Sequence, residues 1–307
     1  MTAAVVAAVG RRVAQRRRLA TRLMRLPAVL PRPLRARLYR SLSWPLATKL
    51  AAETEVEVIG GSRMFVRTDD LVGRVIAISG VWEPNLTALF TRALAPGDVC
   101  IDVGAHIGYH TLLAARVVGP GGHVFAFEPS PANHRALRRN IALNRLSNVT
   151  ALDVAAGAET RRATLYEGPA SNSGQATLNA AFAAKSAAPL HETTVEVAPV
   201  ASLVPEEEWD RTRVIKIDVE WEELDVLRGL QPVFDRGRPL SVFLEWTPRR
   251  AAPGAADVLR RVCEAQGFAV FSVRGGYSLE RLFPDRLEQA VRVSAIPEEQ
   301  TDLLLRR

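Results

Sequence analysis

Along residues 99–273 the apolar positions alternate between short, mostly apolar runs and stripes at helical spacing. Runs at 99–103, 124–127, 149–154, 214–219, 242–244 and 269–273, with a shorter one at 291–295, have the length and β-branched content of strands buried on both faces. Between them, 111–118, 131–143, 222–229 and 255–266 repeat their apolar residues every three or four positions, which predicts helices. The punctuation agrees. Ser130 stands where a helix cap belongs, ahead of Pro131, and Gly119-Pro120-Gly121-Gly122 and Gly229 stop the helices before them. Alternation of this kind predicts an α/β fold: a Rossmann-like, seven-stranded, mostly parallel sheet with helices on both faces. The stretch 158–200 is looser and reads as an insertion with edge strands near Leu165 and 195–197. Residues 51–98 end in a predicted helix over 85–94 and are placed to cap the sheet or its site. The chain therefore divides into an extension (1–50), a cap segment (51–98) and a sheet domain (99–300).

Charge separates the extension from the rest. Residues 1–50 hold eleven Arg, one Lys and no acid, so removing their +12 from the formal net charge of +7 leaves the other 257 residues at −5. Leucines recur every four residues from Leu26 to Leu50, but Pro27, Pro31, Pro33 and Pro45 interrupt the stripe, so the predicted helix is confined to 34–43, opened by Pro33. Its arginines Arg35, Arg37 and Arg40 flank the stripe. Three readings stay open: a helix packed on the body with a solvated Arg face, a peripheral anchor on anionic membrane or a basic partner-docking arm, and a nucleic-acid arm. The short Ala/Val run at 3–9 precedes the arginines, the reverse of a secretory signal, and no run approaches the ~18 apolar residues of a membrane span. Hydrophobic residues at 48% and charged residues at 24% exclude collagen-like and disordered classes. Only Cys100 and Cys263 occur, without partner spacing; they read as reduced core thiols in a cytoplasmic, at most membrane-peripheral, protein.

The turn after the first run carries the chemistry. In parallel sheets ligands bind beyond the carboxyl ends of the strands. Here Asp102-Val103-Gly104-Ala105-His106-Ile107-Gly108-Tyr109 offers glycines for close backbone approach and a helix amino terminus that favours an anion. A dinucleotide fingerprint needs glycines at the places of His106 and Tyr109, so hydride transfer is excluded. Asp102 before the turn would repel pyrophosphate and suits an ammonium beside a carboxylate. Glu128, ending the second run, is placed to accept both hydroxyl protons of a ribose, and Asp153, ending the third, is expected near an adenine. An amino-acid head, a ribose and an adenine occur together in S-adenosyl-L-methionine.

The stretch from Gly97 to about Gly267 resembles the FkbM family of S-adenosylmethionine-dependent methyltransferases. Pro96-Gly97-Asp98 leads into IDVGAHIGYHT (101–111), followed by FAFEPSPANHRALRRNIALN (125–144), VIKIDVEWEELDVLRGL (214–230) and FLEW (243–246). The resemblance implies a class I methyltransferase fold and transfer of a methyl group to a hydroxyl of a sugar or secondary metabolite. It further implies cofactor contacts at Glu83, Asp102, Gly104, His106, Gly108, Tyr109, Glu128, Pro129, Asp153 and Ala155. His106 stands where the family often has Asn, and Trp221 where it usually has Gly; a Trp there is placed to fill space near the acceptor.

Alignment of an acceptor oxygen with a sulfonium methyl needs little beyond positioning and a group to take the proton. Asp218 is the first candidate for that group, Glu220 the second, and Glu245 a third carboxylate on the same rim. Asp218 could instead pair with Lys216 or cap the helix at 222–229, and Glu223 reads as a capping charge. His110, in the first turn of the helix, is a further candidate base. No cluster has metal-ligand spacing, so no bound metal is expected. Two rivals stand beside methylation of a small hydroxylated acceptor. Nucleic-acid methylation would call for an Asp-Pro-Pro-aromatic turn or a Pro-Cys pair, and Asp218-Val219-Glu220-Trp221 is neither. A non-catalytic cofactor-binding scaffold rests on Trp221 alone.

Overall fold

The computed structural model of the chain describes residues 30–49, 53–169, 171–184, 190–247 and 254–307. The first described element, α1 (Arg32–Leu38), runs through a π-helical turn (Tyr39–Ser43) into α2 (Trp44–Lys49). This helical segment is longer than the predicted 34–43. Pro45 falls in the first turn of α2, directly after the widened π turn, where its missing N–H is tolerated. Ala36, Tyr39, Ser43 and Ala47 face inward, Leu34 and Leu42 are exposed, and Arg40 donates to the Phe283 carbonyl (3.0 Å). The Arg-rich residues 1–29 lie outside the described residues, and so do their expected contacts. No described helix is long and apolar enough to cross a membrane.

The cap segment is a hairpin, β1 (Glu53–Glu57) and β2 (Arg63–Arg67), followed by α3 (Leu71–Ser79) and α4 (Pro84–Arg92). Strand alternation turns Thr54, Val56, Met64 and Val66 inward against Val75, Ile76 and Ile78 of α3. Asp70 caps α3 by accepting the Gly73 N–H (2.8 Å).

Strand and helix then alternate: β3 (Val99–Val103), α5 (Tyr109–Val118), β4 (His123–Phe127), α6 (Pro131–Leu143) and β5 (Val149–Leu152). Ser130 caps α6 through the Asn133 N–H, as its sequence position indicated. The insertion folds into its own three-stranded sheet from β6 (Ala155–Ala156), β7 (Arg161–Glu167) and β8 (His191–Ala198), with α7 (Ala180–Ala183) between the last two. After α8 (Val200–Leu203) come β9 (Thr212–Ile217), α9 (Glu223–Gly229), α10 (Gln231–Phe234), β10 (Ser241–Trp246), α11 (Ala255–Ala265), β11 (Ala269–Val273), α12 (Leu279–Leu282), β12 (Val291–Arg292) and β13 (Thr301–Arg306).

The main sheet has the order β12-β11-β13-β10-β9-β3-β4-β5. From β10 to β5 every pairing is parallel, whereas β13 is antiparallel to both β10 and β11. Two expectations are corrected here. The described sheet has eight strands, not seven, and its final central strand is β13, beyond the predicted limit of 300. Its apolar run, Leu303–Leu305, is only three residues long and is flanked by Asp302 and Arg306, so no periodicity announces it. Residues 291–295 contribute instead the two-residue edge strand β12, with both residues exposed. Strand β3 is buried throughout and β9 and β10 nearly so, which explains their continuous apolar lettering. Cys100 and Cys263 are free, buried thiols; burial raises both, Cys263 to about 12.

Candidate active site

A cavity opens beyond the carboxyl ends of β3, β4 and β9. Its wall comes from Val103–His106, Phe127–Pro129, Val154–Ala156, Lys216 and Asp218–Glu220; the cap adds Leu71, Val72, Trp82 and Glu83, and the insertion adds residues between Asn172 and Leu178. Gly104 lines it where two backbones meet closely. Its φ is +76°, its N–H donates to the Phe127 carbonyl (2.9 Å), and a β-carbon there would stand 1.8 Å from the Asp218 carbonyl oxygen. Gly104→Ala combines a left-handed backbone cost with a clash against fixed backbone. We expect it to lower stability by about 3 kcal/mol or more, read by denaturant unfolding. Gly108 is needed for a different reason: at φ +94° it caps α5 and lies against Leu137 of α6, so it seats two helices and does not line the cavity.

Glu128 faces the cavity with its carboxylate already oriented. Oε2 accepts the His106 N–H (2.7 Å) and Oε1 the Ser130 N–H (2.9 Å). Burial raises its pKa to about 7, against the lowering effect of those backbone donors and of Asn133. His106 presents its N–H because its φ is +52°, a conformation that Asn and His enter more readily than most residues. This accounts for the interchange noted at that position.

A buried ion group lies beneath. Lys216 Nζ is 3.0 Å from Asp218 Oδ2 and 3.7 Å from Asp102 Oδ1, and donates to the Gly104 carbonyl (3.3 Å). Burial alone would lower the Lys216 pKa; the Asp218 and Asp102 charges override it and hold the ammonium protonated. Burial would likewise raise Asp218, but Lys216 and a hydrogen bond with Glu245 keep it below the ordinary carboxylate range. Glu245 is pushed well up, first by burial and then by the Asp218 charge. Glu245 Oε1 accepts from Tyr277 Oη (2.9 Å) and Gln300 Nε2 (3.1 Å), and Tyr277 stacks on Trp82 with ring centroids 6.1 Å apart.

Of the residues singled out from sequence, the cavity brings together Glu83, Gly104, His106, Tyr109, Glu128, Pro129, Ala155, Asp218 and Glu220. Asp102, Gly108, Asp153 and Glu245 do not line it. Asp102 is fully buried one layer below, where Oδ2 accepts from Thr111 Oγ1 (2.5 Å); it therefore holds Lys216 and α5 and presents nothing to the cavity. Asp153 is exposed, because β5 ends at Leu152 and only Val154–Ala156 pass under the cavity. Glu245 is set behind Asp218 and Tyr277. His110 lines the cavity as a neutral imidazole, its pKa lowered well below normal by burial and then by Lys216, with its ring edge-on to Phe90 and Tyr109. Trp221 is buried outside the cavity wall, at φ +78°. The usual Gly would enter that conformation freely, whereas Trp spends steric energy there; the space it fills is core and not part of the cavity wall. Sequence reasoning passed over Asp70, Trp82, Asn133, Ser173 and Tyr277. Of these only Asp70 carried a local signal, as an acid immediately before an apolar helix.

Residues 102–270, just over half of the chain, match the FkbM methyltransferase domain. The chain belongs to the FkbM methyltransferase family. It is 33% identical over 160 residues to 31-O-demethyl-FK506 methyltransferase FkbM of Streptomyces tacrolimicus, covering 45% of this chain and 61% of that one. It is 32% identical over 143 residues to Methyltransferase 1 of Beauveria bassiana (42% and 57%). With hexuronic acid methyltransferase AglP of Haloferax volcanii it shares 28% identity over 179 residues (57% and 66%). The chain thus spans about 57–61% of the length of the first two relatives. In this FkbM-type methyltransferase the matched segment runs from within β3 to the start of β11, the part of the chain that supplies the strand-end wall of the cavity.

Proposed function

We propose that the protein transfers a methyl group from S-adenosyl-L-methionine to a hydroxyl of a small acceptor, a sugar or a secondary metabolite. The observation that carries this reading is Glu128: a buried carboxylate, oriented by two backbone N–H groups, at the strand end where the fold binds nucleosides. Its oxygens suit the two ribose hydroxyls. Ala155, Ala156 and Leu178 give an apolar flank of the kind an adenine needs, and the Gly104 turn lets the amino-acid end approach the backbone. Relatives whose names specify 31-O-demethyl-FK506 or a hexuronic acid support a hydroxylated small molecule as acceptor.

When bound, S-adenosylmethionine supplies an electrophilic methyl on a positively charged sulfur. The residues have to align the acceptor and receive its proton. Asp218 faces the cavity from the end of β9, ionised and steadied by Lys216. Although its pKa is low, it is basic enough for a hydroxyl that becomes strongly acidic as its oxygen takes the methyl. Glu83 and Glu220 line the same side, and Trp82 and Tyr277 form an aromatic wall beside them.

The test is binding of S-adenosylhomocysteine by calorimetry. Glu128→Gln should weaken it about 10–100-fold, the effect of an impaired buried acceptor. The parent protein should also show a pH dependence. With a free-state pKa of about 7, binding below that pH requires Glu128 to lose a proton so that both hydroxyls can donate. Affinity should therefore rise about tenfold from pH 6 to pH 8 and level off above, and Glu128→Gln should flatten the profile. Undiminished binding by the variant overturns the reading.

A further inference from the structure

Ser173 stands in the insertion, far in sequence from the cofactor motifs, yet the side chains of two residues that bond Glu128, His106 through its backbone N–H and Asn133 through its side chain, both reach it. His106 Nε2 is 2.7 Å from Ser173 Oγ, and Asn133 Nδ2 donates to the Ser173 carbonyl (3.1 Å). On its other side Ser173 meets Asp70: Oγ and the backbone N–H both address Asp70 Oδ1, at 2.9 and 2.7 Å, while Oδ2 of the same carboxylate caps α3. The proton positions follow from the partners. A carboxylate only accepts, so the single Ser173 hydroxyl proton goes to Asp70, and Oγ must accept from His106 Nε2–H. The chain of donors runs His106 to Ser173 to Asp70, fixing the imidazole in its Nε2–H form. Burial lowers the His106 pKa, consistent with a neutral ring.

Three separate pieces of the chain are thereby tied over one carboxylate: the cap through Asp70, the insertion through Ser173, and the strand-end turn through His106. Leu71 N–H adds a bond to the Ser171 carbonyl (3.0 Å), and the segment it holds contributes Asn172, Gly174, Gln175 and Ala176 to the cavity wall. His106 holds a left-handed backbone that ordinary residues resist, and the ring anchor at Ser173 is what keeps its N–H on Glu128.

We infer that Asp70 and Ser173 are positioning residues for the nucleoside: they lock His106 so that Glu128 stays oriented, and they hold the insertion across the bound ribose. The inference rests on the proposed cofactor site and adds to it a clasp that governs how long the ligand stays. The segment that Ser173 anchors lines the cavity through Asn172, Gly174 and Gln175, so loss of the clasp is expected to act mainly on departure.

Stopped-flow binding of S-adenosylhomocysteine to the full chain tests it, with Ser173→Ala, Asp70→Asn and Glu128→Gln compared singly and Ser173→Ala also combined with Glu128→Gln. Asp70→Asn keeps an oxygen for the α3 cap but sets an amide against Ser173, so thermal melts should stay close to the parent. Each of the two clasp variants should raise the dissociation rate about tenfold, with association within about twofold. In the Glu128→Gln background, Ser173→Ala should add less than about twofold, because the clasp acts through that carboxylate. A dissociation rate within twofold of the parent in either clasp variant, or an equal increase in the Glu128→Gln background, overturns the inference. Failure of the parent protein to bind S-adenosylhomocysteine at all is a separate result and overturns the proposed function beneath it.

Discussion

Lys216→Met should lower the melting temperature by about 5–15 °C. The side chain is only 4% exposed, and its ammonium compensates both Asp218 (3.0 Å) and the fully buried Asp102 (3.7 Å). Removing one member of such a group leaves charge without compensation in the interior, typically about 3–5 kcal/mol, even where an apolar group of equal volume would have packed well. The sign of the pH dependence is fixed. In the parent, Asp218 lies below its ordinary value, so its contribution is present at neutral pH and is lost as pH falls. In the variant Asp218 loses the ammonium that holds its pKa down, so the deficit should be largest near pH 8 and shrink toward pH 5. Adding Asp102→Asn to Lys216→Met should recover part of the loss, whereas the same change in the parent should not stabilise. Equal melting temperatures for parent and Lys216→Met at pH 8 would show that the pair is solvated and that the ion group is not a structural support of the site.

Asp218→Asn should lower the methyl-transfer rate by about 100-fold or more while leaving S-adenosylhomocysteine affinity within about twofold. Asn keeps the size of the side chain and an oxygen for Lys216, but gives up the proton-accepting oxygen on the cavity side. The measurement is turnover at saturating cofactor, followed by the mass gain of one methyl on the acceptor. A rate loss matched by an equal loss of cofactor affinity would make Asp218 a binding group. Full rate would pass the proton to another group; Glu220, on the same wall, is the next to test.

The contrast between what the lettering revealed and what it hid has a physical basis. Strands β3, β4 and β9 are buried on both faces and are therefore written as mostly apolar runs, and the turn at Gly104 is written as glycine because the Asp218 carbonyl leaves no room for a β-carbon. Those features are local, and the proposed nucleoside site was read from them. Reading Asp102, Glu128 and Asp153 as three equivalent acids at successive strand ends failed for two of them. A strand end fixes where the backbone goes, but one residue more or less decides whether a side chain faces the cavity, the interior or water: Asp102 went inward to Lys216 and Asp153 outward to solvent. Strand β13 was hidden because three leucines suffice when neighbours on both sides supply the burial. Ser173 and Tyr277 were beyond reach for a different reason. Each matters through partners scores of residues away, and a lone Ser or Tyr in an irregular segment has no periodic context to mark it.

A crystal structure of the protein with S-adenosylhomocysteine would address the whole account at once. Both ribose hydroxyls should lie within hydrogen-bond distance of the Glu128 oxygens, with the sulfur turned toward Asp218 and Ser173 lying over the ribose. A nucleoside seated elsewhere, or one that leaves Glu128 bonded only to the His106 and Ser130 backbone, would contradict it.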